Sequence, residues 1–160
     1  MSSGKFGAKG EWWVVAQFVL LPIALLADYY ARGSLVVAPF VRYLLVGVSI
    51  LCLAAGALFA FGGVLGLGRN LTAVPHPIND GHMVQTGLYA LVRHPIYAGI
   101  IFGTFGMALL FASLAGIVMA ALILVFFDRK SRREEAWLTE KYAGYADYRL
   151  RVRKLIPFVY

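Results

Sequence analysis

The chain has 160 residues, of which 61% are hydrophobic and 14% charged, with a formal net charge of +7 and a mean hydropathy of +0.75. Soluble domains carry roughly 45–50% apolar and about 25% charged residues, and a water-soluble fold of this size has too little interior to hide so much apolar surface. These numbers exclude an ordinary soluble domain and predict one integral membrane domain over residues 1–160, with no separate soluble unit.

The charge is unevenly placed. Nine of the fifteen Lys and Arg residues fall between positions 129 and 154. Such a cluster beside a membrane segment marks the cytoplasmic face and anionic headgroups. Nucleic acid is not the expected partner, because the basic stretch is short and tied to the bilayer. Cys52 is the one cysteine, so no intrachain disulfide is possible; inside an apolar run it reads as a small buried hydrophobe.

In chain order, Lys5 and Lys9 precede an apolar stretch in the manner of a signal sequence. No small-residue cleavage site is evident before Asp28, so an uncleaved span over 12–28 is expected. Trp12, Trp13, Tyr29 and Tyr30 suit the two interfacial belts, and Pro22 predicts a kink. The second span is expected over 41–67, with Pro39 where a helix would begin. Gly62 and Gly66 form a GxxxG pair that permits close helix packing. Residues 68–93 are polar and rich in Pro, Asn, Asp and Gly, a long loop at the membrane surface.

Residues 96–127 contain no charged side chain. As one helix they would be roughly 48 Å long, well beyond a hydrocarbon core about 30 Å thick. As a hairpin they give two short spans, and the charges favour it. Four crossings place the amino terminus, the 68–95 loop and the tail on one side, leaving only Arg32 and Arg42 opposite, a positive-inside asymmetry. The expectation is an all-α integral membrane protein with four transmembrane helices. The last two, over 95–112 and 114–128, form a short hairpin turning near 112–116, and a cytoplasmic helical tail covers 129–160. Within the tail, 128–142 reads as a helix ended by Gly144, and 147–153 as a second short helix stopped before Pro157.

Two polar clusters bracket the apolar block. In RHPIY (93–97), Pro95 fits the first helical turn, His94 lies at or near the cap and Tyr97 falls in the first turn. With Arg93 beside it, this helix start is a natural seat for a small carboxylate or phosphate; its bland reading is an interfacial anchor. In RREEAWL (132–138), Glu134 and Glu135 read by themselves as a solvated helix with local ion pairs. The hairpin changes that, because it returns this helix to the side of His94 and Tyr97. The combined site offers an anion seat, a carboxylate for ammonium or hydroxyl groups, and rings for a flat base. A zwitterionic nucleoside such as S-adenosylmethionine needs all three. His76, His82 and His94 form no zinc-like motif, so no metal is expected.

At these residues the chain resembles the isoprenylcysteine carboxyl methyltransferase and phospholipid methyltransferase superfamily. The resemblance runs over about 65–158 and rests on GLYALVRHPIYAG, the apolar hairpin, EEAWL, KYAGYADY and the closing LIPF. It implies a membrane enzyme that takes a methyl group from S-adenosylmethionine at the cytoplasmic face. Carried over by position, it assigns the cofactor to Met83, Val84, Tyr89, His94, Pro95, Tyr97 and Glu134, with Glu135 beside them; Gly66-Leu67-Gly68 is similar to a GxG element of the phospholipid branch. One helical turn before the Glu, where the carboxyl methyltransferase branch looks to use an Arg, this chain has Lys130, with Arg129 as its neighbour. Lys130 or Arg129 is expected to orient an anionic acceptor, without the bidentate fork of Arg. The acceptor is expected to be lipid-like or lipidated and to arrive from the bilayer: an isoprenylcysteine-like carboxylate, or a lipid amine, thiol or hydroxyl. Two other readings compete, an NADPH-dependent membrane reductase with a similar RHPxY segment, and a non-enzymatic membrane scaffold.

Overall fold

A computed structural model describes residues 7–160; Lys5 lies outside them. Among the described residues the α-helices are α1 (Glu11–Tyr30), α2 (Pro39–Leu67), α3 (Pro95–Phe111), α4 (Leu114–Lys141) and α5 (Tyr145–Arg151), with short 3-10 turns at Gly68–Asn70 and Gly87–Ala90. No strand occurs among the described residues. An isolated parallel bridge joins Val92 to Arg153.

The helix starts follow the sequence. Pro39 and Pro95 open α2 and α3, where a missing N–H costs nothing. Ser113 caps α4 by accepting from the Gly116 amide at 2.9 Å, a bond that satisfies one of the otherwise orphaned donors. Between α3 and α4 only Ala112 and Ser113 intervene. Ala112 takes the left-handed conformation, φ 46°, which turns the chain back sharply and closes the hairpin in the expected place. α1 runs unbroken through Pro22.

α1 and α2 are long and apolar enough to cross a membrane, and α3 is a shorter apolar helix. α1 and α2 leave large apolar side chains exposed, among them Trp12, Phe18, Phe40, Leu51, Phe61 and Leu65. So continuous an apolar exterior is a surface for lipid.

α3 packs chiefly on α2, then on α4, and α1 lies against α4 and α3. The α2–α3 contact is nearly backbone on backbone. A methyl group added at Gly99 would sit 2.5 Å from the Ala60 amide nitrogen and 2.7 Å from the Gly56 carbonyl oxygen. The close approach that the Gly62–Gly66 spacing permits is made elsewhere. Those two glycines instead receive the Leu88 side chain and the Tyr89 ring, so they seat the loop before α3 rather than a helix.

The bundle's two ends are built differently. At one end, Arg42 donates to the Leu109 carbonyl at 3.0 Å and to that of Leu110 at 2.6 Å. A cation thus caps the negative end of α3. At the other end the tail folds back on α4. Asp128 accepts from Lys154 at 2.6 Å, Tyr160 at 2.7 Å and Arg132 at 2.9 Å, and Leu155 is buried with Ile101, Ile123 and Phe127. α4 ends at Lys141 with Tyr142 extended. Gly144 does not terminate it, as expected from sequence, but precedes α5.

Candidate active site

The residues before α3 are held from two sides. The amides of Arg93 and His94 donate to the carbonyls of Arg153 (2.8 Å) and Lys154 (3.1 Å), and the Tyr148 hydroxyl donates to the Tyr89 carbonyl at 2.5 Å. His94 becomes the residue flanking the α3 start and makes no side-chain cap bond. Its ring stacks on that of Tyr97 with centroids 5.3 Å apart and planes 5° from parallel.

The hairpin brings α4 against this point. The Tyr97 hydroxyl donates to Glu134 Oε2 at 2.7 Å, and His94 Nδ1 lies 3.7 Å from the same oxygen. On its other edge His94 Nε2 donates to Glu135 Oε1 at 3.1 Å, and Arg93 Nε donates to that oxygen at 2.8 Å. One imidazole thus spans two adjacent carboxylates. Burial raises the Glu135 pKa, but the hydrogen bonds and charges of His94 and Arg93 outweigh it and hold the carboxyl down at about 2.

In front of His94, Tyr97 and Glu134 lies a cavity of about 450 Å³, within the ~300–1,000 Å³ range of small-molecule sites. It opens where α1 starts, α2 ends and α3 starts. The loop supplies its outer wall, including Asn70, Ile78, Met83 and Val84. Lys141 pins that loop by donating to the carbonyls of Ile78 and Asn79. His76 packs on Trp137, and His82 donates its amide to Asn70 Oδ1 at 3.2 Å. Tyr89 lines the cavity and anchors to the Gly63 carbonyl at 3.2 Å; burial, then the Glu134 charge, pushes its phenol above the ordinary range.

Lys130 is buried, 1% exposed, and lines the same cavity. It donates to Gln17 Oε1 on α1 at 2.6 Å and sits 5.1 Å from the Tyr97 ring centroid, within cation–π range. Burial lowers its pKa, against the opposing pull of Glu134.

The structure therefore gathers Met83, Val84, Tyr89, His94, Tyr97, Lys130 and Glu134 around one cavity. It sets three predicted site residues apart. Pro95 is buried against Gly63, Glu135 stands behind His94 in its ion pairs, and Arg129 is exposed. Arg93 is not the free anion seat read from sequence, because its guanidinium is taken by Glu135 and by the carbonyls of Arg149 and Val152.

Three polar contributors were missed. Gln17 could have been found as the one amide in the first apolar run. Tyr145 and Tyr148 lie in the quoted KYAGYADY, and their roles needed the tail's fold. The Tyr145 hydroxyl is buried without a hydrogen-bond partner, and burial, then the Glu135 and Glu134 charges, raises its pKa. An unpaired buried hydroxyl in a cavity wall is costly unless something binds it. With the Glu134 carboxylate and the stacked His94 and Tyr97 rings on one wall, the residues present fit the ammonium and the flat base of a zwitterionic nucleoside, while the anion seat expected of Arg93 is not among them.

A family model described as phospholipid methyltransferase matches residues 44–144. The chain is 35% identical over 83 residues to the protein-S-isoprenylcysteine O-methyltransferase of Saccharomyces cerevisiae, covering 51% of this chain and 35% of that protein. It is 30% identical over 111 residues to the enzyme of that name from Mus musculus, covering 68% of this chain and 38% of the mouse protein. The chain thus spans well under half the length of these curated relatives. A solved structure of a eukaryotic intramembrane Ras methyltransferase, isoprenylcysteine carboxyl methyltransferase, superposes with a TM-score of 0.64 at 22% identity. That likeness covers 94% of this chain and 53% of the solved one, and it bears on the fold.

Proposed function

This chain belongs to the phospholipid methyltransferase family, and from that premise we propose that it transfers a methyl group from S-adenosylmethionine to a membrane-partitioned acceptor. The observation that carries the reading is the meeting of His94, Tyr97 and Glu134, from the two arms of the hairpin, in the wall of one cavity. Neither the reductase nor the scaffold reading gains an observation from the fold.

When bound, S-adenosylmethionine supplies a methyl already activated on a sulfonium. The protein's task is to hold and to exclude. Glu134 offers a carboxylate to ammonium or hydroxyl groups, and the Tyr97 hydroxyl keeps it in place. His94 and Tyr97 hold the amino-acid end, Tyr89 flanks the cofactor with Met83 and Val84, and the Tyr145 hydroxyl gains the partner it lacks. Positioning of this kind contributes several kcal/mol to a transfer step, and the loop over the cavity keeps water out.

Of the two residues expected to orient the acceptor, Lys130 is the one on the cavity wall. Held by Gln17, it presents a cation to an anionic acceptor such as an isoprenylcysteine-like carboxylate. A lipid amine, thiol or hydroxyl would have less use for it. We place the cavity at the cytoplasmic face of a four-span protein, with α3 and the first half of α4 as the third and fourth spans. The start of α1, the end of α2 and the start of α3 share the cavity end, as that topology requires, and the basic tail lies there too.

The test is transfer of tritium from labelled S-adenosylmethionine into a lipid extract by the purified full chain. Label in the organic phase, lost with Glu134→Ala, supports the reading. Absence of label with lipid carboxylate, amine, thiol and hydroxyl acceptors alike, in protein of unchanged melting behaviour, would contradict it.

A further inference from the structure

A second cavity, of about 400 Å³, lies behind the first on the tail side of α4. Its walls carry Arg93, Arg132, Arg149, Arg153 and Lys154, five cations from three stretches of chain. Two carboxylates face them: Glu135 in the wall, and Asp128, which holds Arg132 and Lys154. Glu135 is already engaged by Arg93 and His94. Its contact to Arg149 is 3.6 Å, and the Arg149 side chain stays 47% exposed. The Arg153 guanidinium is exposed and makes no hydrogen bond or ion pair with any described residue.

Packing cations around a concavity with too few carboxylates focuses a positive potential there. The guanidinium fork matches phosphate oxygens two at a time. The wall adds a second property. Val159 lines the cavity and is strongly exposed, and its sequence neighbour Phe158 and the Arg149 neighbour Leu150 are strongly exposed too. Large apolar side chains interleaved with arginine suit the boundary between headgroups and acyl chains.

We infer that this second cavity binds a phosphate-bearing anion, with the headgroup of an anionic phospholipid as the source that these exposed apolar side chains favour. Arg149 and Arg153 grip the phosphate, and Arg132 and Lys154 complete the positive wall. The site is separate from the methyl-transfer reading and stands or falls without it.

The experiment follows the melting midpoint of the full chain in non-ionic detergent. It is titrated with dioctanoyl phosphatidate, with dioctanoyl phosphatidylcholine, whose choline masks the phosphate charge, and with inorganic phosphate. Phosphatidate should raise the midpoint saturably, and phosphatidylcholine should not. The Arg149→Gln/Arg153→Gln pair should weaken the apparent affinity for phosphatidate by about tenfold or more, and Lys at both positions should restore part of it. A saturable rise with inorganic phosphate at similar concentration makes free phosphate the source and upholds the site. No saturable rise with either phosphate probe overturns the inference, as does a double variant that titrates like the parent. Should the double variant fail to fold, Arg153→Gln alone, changing an exposed and unpaired side chain, gives the same comparison.

Discussion

On α4, the face that carries Lys130, Glu134 and Leu138 lines the cavity, whereas the face that carries Asp128, Arg132 and Glu135 grips the tail and the segment before α3. Glu134 and Glu135 are neighbours in the chain, yet a helix turns about 100° per residue and sends them to different surroundings. Glu135 is saturated by Arg93, His94 and Arg149. Glu134 has the Tyr97 hydroxyl, a longer approach to His94, and open space before it. Lys130 has a single amide partner. The tail-facing side of α4 spends its carboxylates, Asp128 and Glu135, on holding the fold, and the cavity-facing side keeps the Glu134 carboxylate for a ligand. His94 touches both, so the stabilising pair also fixes the ring that the cavity uses.

The comparison breaks most sharply at Glu135. Glu135→Ala leaves the Arg93 guanidinium with carbonyl partners but no counter-charge, at a cost of roughly 3–5 kcal/mol and roughly 10 °C in melting midpoint. A thermal melt in detergent checks this; a shift of only a degree or two would mean the ion pairs contribute little. The same carboxylate sets an acid limit. Its folded-state pKa of about 2 lies below the ordinary 4.5, so its stabilisation is complete above pH 4.5. That stabilisation is lost as pH falls toward 2, up to about 3 kcal/mol in all. Melts across this window should slope for the parent and flatten for Glu135→Gln.

On the cavity face the effects on folding are smaller. Gln17→Leu leaves the Lys130 ammonium buried without its acceptor and should cost about 2 kcal/mol. Lys130→Met, which removes the charge, should cost less than about 1 kcal/mol. The reverse order in parallel melts would show that Lys130 is solvated from the cavity. Tyr97→Phe deletes one hydrogen bond and should cost about 1 kcal/mol in folding. It should weaken S-adenosylmethionine binding by about threefold to tenfold in calorimetry, because Glu134 loses its support.

Much of this was legible beforehand because it rests on local rules. The uncharged run 96–127 is too long for one crossing and short for two, and the positive-inside asymmetry of the flanking charges favours the hairpin. Pro95 marked a helix start, which placed His94 and Tyr97 at one end of α3. The 3.6-residue period does separate Glu134 from Glu135, but which face meets the cavity depends on α1 and on the tail. Arg93 looked free because its partner lies 42 residues away. Gln17 stayed hidden for the same reason, bonding across 113 residues. The spacing of Gly62 and Gly66 permits a close helix contact but does not place one, and the backbone contact forms at Gly56 and Gly99. Only the partner backbone decides that.

The division of labour between the two acids is tested most directly by titrating S-adenosylmethionine into the detergent-purified parent and into Glu134→Ala, with a melt of each. The parent should bind, and Glu134→Ala should melt within a few degrees of it while losing at least about tenfold in affinity. Equal affinity in the two proteins, or no binding to the well-folded parent, would contradict the assignment of this cavity to the methyl donor.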